Sequence, residues 1–285
     1  ACFMRKRISF ISVLTMFLAI GFVIIFSRLV KAAANGVILK ANRTYTAYDV
    51  TGDGTKDKIR IRAANQTDDE AYSSLTVSVN GKTAYRLKNT RFYNVIANIY
   101  TLKNGQPFLY LYAPAENGDG PVCALLKYTN GKFRKALDFT EIMAGYGNHR
   151  IGEVTNLNGN KIVITESIVS YSLGINAINF TYKYVNGKFV PTSKYGSYKE
   201  IYSADGSSRY FTVNSDLPAY TRPDATAVNT TLKTGSLTKI IKCALISGKM
   251  YIQLECDGEI YWIKALENPP IADNERQFME VRYAG

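Results

Sequence analysis

Histidine is almost missing: His149 is the only one in 285 residues. A histidine-built zinc site is therefore excluded, and a Ser-His-Asp triad would have to run through this one side chain. Its setting, Gly145-Tyr146-Gly147-Asn148-His149-Arg150, is glycine-rich and reads as a loop holding a hydrogen-bonded surface histidine. There is no Gly-x-Ser-x-Gly elbow, and no cysteine has a recognisable catalytic context. Cysteine is also scarce, whereas exported proteins that rely on disulfides carry a dense, even set. Of the four, Cys123, Cys243 and Cys256 lie beyond the first 34 residues. Cys243 and Cys256 flank one hairpin and are the only plausible pair. A Ser247-Gly248 turn, however, sets Cys243 against Ile252, so a bridge needs a shifted register. Cys123 reads as a small buried hydrophobe. No dense Lys/Arg block forms a nucleic-acid arm, although the net charge is +12. The acidic stretches, Asp68-Asp69-Glu70 and Glu116 near Asp119, read as solvated loops, because a glycosidase pair needs a set separation across a cleft. These absences favour a protein that binds over one that catalyses.

The first clear feature present is a leader. Met4 is followed by Arg5-Lys6-Arg7, then by an apolar run from Ile8 to Phe26, then by small residues through Ala34. That order is a signal peptide over 1–34, cleaved after Ala32 or Ala34; the run is also long enough for an uncleaved anchor. Either form places the remainder outside the cytoplasm, secreted or held at the cell envelope. Removing the leader takes away five positive charges and leaves +7 of the +12.

Next comes Asp49-Val50-Thr51-Gly52-Asp53-Gly54-Thr55-Lys56-Asp57. Oxygen-bearing side chains fall at positions 1, 3, 5 and 9, with glycine at position 6, which is the front of an EF-hand-type calcium spacing. Arg60 stands where an EF-hand places its glutamate, and the alternation Lys58-Ile59-Arg60-Ile61-Arg62 is that of a strand. A calcium loop running into a β-strand is the reading, with Asp49, Thr51, Asp53, Asp57 and the carbonyl of Thr55 as ligands. Without a metal, the same residues would make an Asp/Gly-rich turn.

From about residue 47 to 195 the chain repeats. Asn-Gly, a strong hairpin signal, occurs seven times. Three occurrences, at Asn80, Asn130 and Asn186, share the following lysine and recur at intervals of 50 and 56 residues. Gly54, Gly105 and Gly159 each precede an apolar strand in step with them. Three β-units of this period imply propeller blades or a related array. Three do not close a propeller, so the array is open, strongly curved or completed by a partner. Only the first unit carries the aspartates. Small polar residues over 196–210 mark a boundary. Beyond it, short strands around Leu217–Tyr220, Lys233-Thr234-Gly235, the Ser247-Gly248 hairpin and Gly258–Lys264 imply a small barrel. The 21 tyrosines mostly suit strands. Tyr220, Tyr261 and the single tryptophan, Trp262, gather in the C-terminal part and are the candidate ligand-contact residues.

The Asp49–Asp57 spacing resembles the loop of FG-GAP/VCBS repeats, which implies extracellular β-propeller blades used for adhesion or ligand binding, with calcium stapling the loop. Leu217-Pro218-Ala219-Tyr220, the Lys233-Thr234-Gly235 turn and Gly258 with Tyr261-Trp262-Ile263-Lys264 resemble a bacterial Src-homology-3-like domain. That likeness implies binding of cell-wall peptides or tethering of exported enzymes.

The expected protein is thus all-β. A three-unit, propeller-like antiparallel repeat domain (35–200) follows the leader, and a small Src-homology-3-like β-barrel (209–285) ends the chain. Its expected role is that of an exported, non-enzymatic envelope binding protein with structural calcium. Its expected partner is a cell-wall polymer, peptide or glycan, with no nucleic acid and no membrane contact except through an uncleaved leader. The alternatives are an accessory or targeting part of a cell-wall hydrolase, and an interaction module whose open propeller edge pairs with another protein.

Overall fold

The computed structural model describes residues 36–67, 69–116, 118–199 and 209–280. The leader and most of the expected boundary at 196–210 lie outside these residues. Within them the chain is all-β, and every paired strand is antiparallel to its neighbour. No helix among the described residues is long and apolar enough to cross a membrane.

Strand β1 (Val37–Leu39) comes first, and three four-stranded meanders follow in chain order. The first meander is β2 (Thr44–Tyr48), β3 (Asp57–Gln66), β4 (Tyr72–Val79) and β5 (Lys82–Phe92). The second is β6 (Ile96–Thr101), β7 (Pro107–Ala113), β8 (Val122–Thr129) and β9 (Lys132–Asp138), with β1 added beside β6. The third is β10 (Gly147–Asn158), β11 (Lys161–Ser170), β12 (Gly174–Val185) and β13 (Lys188–Pro191). Each Asn-Gly-Lys turn joins the third strand of its meander to the fourth. Asn80, Asn130 and Asn186 have φ of 50°, 51° and 49°, and the glycines after them 79°, 79° and 87°. Two consecutive left-handed residues are what a type I′ hairpin turn requires, and Asn-Gly supplies them at least strain.

The meanders stack as layers, and period-two alternation decides which face meets which layer. On β7, Leu109, Leu111 and Ala113 join Ile59, Ile61, Leu75 and Val77 of the first meander in one apolar cluster. Phe108, Tyr110 and Tyr112 point the other way, into a cluster with Ile162, Ile164, Ile178 and Phe180 of the third. The second meander is therefore buried on both faces. The first keeps one face in water, and β3 shows it: Asp57, Ile59, Ile61 and Ala63 are buried while Lys58, Arg60 and Arg62 are exposed.

The C-terminal strands are β14 (Tyr195–Lys199), β15 (Tyr210–Thr212), β16 (Leu217–Ala219), β17 (Thr230–Leu232), β18 (Leu237–Ile246), β19 (Lys249–Cys256) and β20 (Glu259–Lys264). Here the expectation of a small barrel is corrected: among the described residues none of the sheets closes on itself. The second half of β14 pairs with β12 and its first half with β18, so one nine-stranded sheet carries both the third meander and β18–β20. The β16–β17 ribbon folds over β20 through a bridge between Tyr220 and Trp262. After a 3-10 turn at Asp273–Glu275 the chain returns, and Phe278 bridges Val213 beside β15. A single apolar cluster extends from Tyr100 to Phe278. The Ser247-Gly248 turn sets Cys243 against Ile252 and Cys256 against Thr238, and both thiols are free and buried.

Candidate functional site

The Asp49–Asp57 loop connects β2 to β3 and is held by its own carboxylates. Asp57, only 1% exposed, accepts the Val50 and Thr51 N–H groups on Oδ2 at 2.7 and 2.9 Å. Its Oδ1 accepts the Asn80 side-chain amide at 2.6 Å and the Thr51 hydroxyl at 3.3 Å. Asn80 belongs to the β4–β5 turn and also exchanges bonds with the Lys58 backbone, so it ties the loop to the neighbouring turn at the same end of the meander. Asp49 accepts the N–H groups of Gly52 and Gly54 at 2.6 and 2.8 Å. Desolvation acts to raise its pKa, but these bonds and the Thr51 hydroxyl outweigh it and hold the carboxyl below its ordinary value. Asp53 turns onto the Thr55 N–H at 2.8 Å.

The donor types are the hard oxygens that calcium takes. Thr51 Oγ1 lies 3.3 Å from both Asp49 Oδ1 and Asp57 Oδ1, so three of the five expected ligands converge. Asp53 faces its own turn, and among the described residues no three acidic, histidine or cysteine side chains already form a metal cage.

The C-terminal aromatic residues divide between two faces. Tyr220 and Trp262 exchange backbone hydrogen bonds at 2.8 Å in each direction and pack with Ala244 and Tyr251 in a separate small cluster. Tyr261, one residue along β20, points the opposite way and packs against the main core. The structure therefore unites two of the three expected contact residues and parts the third from them. It also adds residues that sequence reasoning missed. Tyr195, 39% exposed at the start of β14, lies 5.8 Å from the Trp262 ring at 37°. Lys242 stands 4.8 Å from the Tyr195 ring centre and 6.0 Å from that of Trp262. Lys194 approaches Tyr195 at 5.3 Å, and Lys264 approaches Tyr220 at 5.0 Å.

Together these side chains form a shelf edged by three ammonium groups, in which Tyr195 is the exposed ring while Tyr220 and Trp262 are buried, only 8% and 5% exposed. Among the described residues none of the three lysines has a carboxylate partner within ion-pair distance. A shallow cleft of about 270 Å³ opens beside the shelf, lined in part by Tyr251, Lys264, Ala225 and Glu267. The only signal that could have found Tyr195 was its place beside Lys194 at the edge of the expected boundary.

His149 lies against Asp119 with Nδ1 and Oδ2 2.8 Å apart, which ties the start of β10 to the β7–β8 connection. Both side chains are substantially exposed. Comparison with family models, with curated proteins and with solved structures finds no match to this chain.

Proposed function

We propose that the chain is an exported, non-enzymatic binding protein of a cell envelope, in which the C-terminal strands hold a cell-wall polymer, peptide or glycan. The observation that carries this reading is the shelf on which the exposed Tyr195 ring sits against buried Trp262, near buried Tyr220, edged by Lys194, Lys242 and Lys264. Flat rings stack on the apolar faces of sugars or peptides, and ammonium groups without carboxylate partners suit the anionic groups of such polymers. Three successive meanders with matching turns support a propeller-like array. In the C-terminal part, the β18–β20 meander, the 3-10 turn and the return of Phe278 to the first strand support an open, Src-homology-3-like arrangement. Calcium is part of the proposal: a rotation of Asp53 away from Thr55 would bring a further carboxylate to Asp49, Thr51 and Asp57, with the Thr55 carbonyl as the fifth donor.

The test is co-sedimentation of the full chain with purified bacterial sacculi, comparing wild type with Tyr195→Ala and with Lys242→Ala/Lys264→Ala. Retention should fall about tenfold, the loss of a stacking ring or of two charge contacts. Undiminished retention of both variants would remove the shelf as the binding surface.

A further inference from the structure

The exposed face of the first meander carries cations on both β3 and β5. Lys58, Arg60 and Arg62 project from β3 on the solvent side. Register places Thr76 between Arg62 and Arg86, and Ser74 opposite Lys88. Two columns of cations, one on β3 and one on β5, thus flank a central column of hydroxyls from Ser74, Thr76 and Ser78 on β4. Side chains two residues apart on a strand are about 6.8 Å apart, and the two columns, two strands apart, are about 9.6 Å apart. No carboxylate stands in any of the three columns, and the one ring in them, Tyr72 at the end of the β4 column, is stacked on Phe92 at 5.7 Å. Among the described residues the five cations have no ion-pair partner; Asp69 is taken by Arg91, and Asp57 beside Lys58 is engaged by the Val50 N–H and the Asn80 amide.

We infer that this face binds an extended phosphodiester polyanion, a polyol-phosphate polymer of the envelope, lying along β3 with successive phosphates on successive cations. The choice of an envelope polymer rests on the extracytoplasmic reading above; the chemistry of the face does not. Three of the five cations are arginines, whose forked donors fit phosphate oxygens better than an ammonium does. The β4 hydroxyls supply neutral donors between the columns. Strand alternation repeats the cations at an interval that a flexible polyol phosphate can follow. No ring stands between the two cation columns, which disfavours nucleic acid, whose bases need stacking platforms. The lack of protruding apolar side chains disfavours insertion into a bilayer.

The experiment measures binding of the full chain to synthetic poly(glycerol phosphate), to oligothymidylate of matched charge, and to phosphatidylcholine/phosphatidylglycerol vesicles, each over a range of salt. Tightest binding to the polyol phosphate is expected, with log K falling by about 0.7 per engaged phosphate for each unit of log salt. Arg60→Gln/Arg62→Gln/Arg86→Gln should weaken binding about tenfold or more and flatten the salt slope by about 2. These side chains are exposed, and an unchanged melting curve verifies that the variant folds. Lys242→Ala/Lys264→Ala should leave this binding intact, so failure of this inference and failure of the shelf are separate results. Tighter binding to the oligonucleotide or to vesicles, no binding to the polyol phosphate, or unchanged binding by the arginine variant would each overturn the inference.

Discussion

Glu166 should make the protein lose stability as pH rises. It lies on β11 between Gly152 of β10 and Ile178 of β12, fully buried, and neither carboxylate oxygen has a hydrogen-bond partner. Gly152 is what leaves it room: a Cβ there would come within 2.3 Å of Glu166 Oε2 and 2.1 Å of the Phe139 ring. Burial pushes the pKa well above its ordinary value; Arg150 opposes this and Asp138 adds to it. Arg150 gives no direct relief, because its guanidinium donates to the carbonyls of Thr140 and Gly147. The folded state therefore holds the Glu166 proton more tightly than the unfolded chain does. The stability that goes with that proton is complete below the unfolded carboxyl pKa of about 4.3, and it is lost as pH rises toward the folded value. Over that window the loss is about 1.4 kcal/mol per pH unit, set against a total stability of roughly 5–15 kcal/mol. Glu166→Gln keeps the shape and abolishes the titration. Urea unfolding followed by Trp262 fluorescence, from about pH 4 to about pH 8, should show the wild type falling relative to the variant at that slope. Parallel curves for the two proteins would refute the reasoning.

Two further outcomes concern the β2–β3 loop. Asp57→Ala strands the Val50 and Thr51 N–H groups and the Asn80 amide together, and should cost about 2–4 kcal/mol in urea unfolding; a cost under about 0.5 kcal/mol would show that the loop does not depend on its carboxylate. Millimolar calcium should raise the melting temperature of the wild type but not of Asp53→Ala, and an unmoved wild-type transition would remove the metal from the proposal.

The strands were legible because local chemistry alone determines them. Asn-Gly followed by lysine marked three type I′ turns, and the Ser247-Gly248 turn set Cys243 against Ile252 by register alone. The alternation after Asp57 identified both the buried and the wet face of β3. Closure was not legible. The strands after residue 209 were expected to curl into a barrel, but that depends on which edge finds a partner, and β14 supplies one from the far side of the expected boundary. The fate of Tyr261 depended on side-chain parity: a neighbour of Trp262 on a strand must face away from it. Glu166, flanked by Thr165 and Ser167, carried no signal of burial, because the layer that covers it comes from β9, β10 and the 3-10 turn at Phe139.

Strand β14 has a consequence for anyone who cuts or fuses this protein. Its residues Tyr195–Ser197 complete the edge of β18 at Lys242–Ala244, while Ser197–Lys199 complete the edge of β12. A fragment that begins after residue 199 would leave the Lys242–Ala244 backbone groups bare, an invitation to pair with another molecule. It would also lose Tyr195 from the Trp262 shelf. A chimera that borrows the C-terminal strands should therefore take the chain from Lys194 onward, and one that borrows the meanders must cap β12 with a substitute strand. The five residues of β14 work as a splice, and both parts need them.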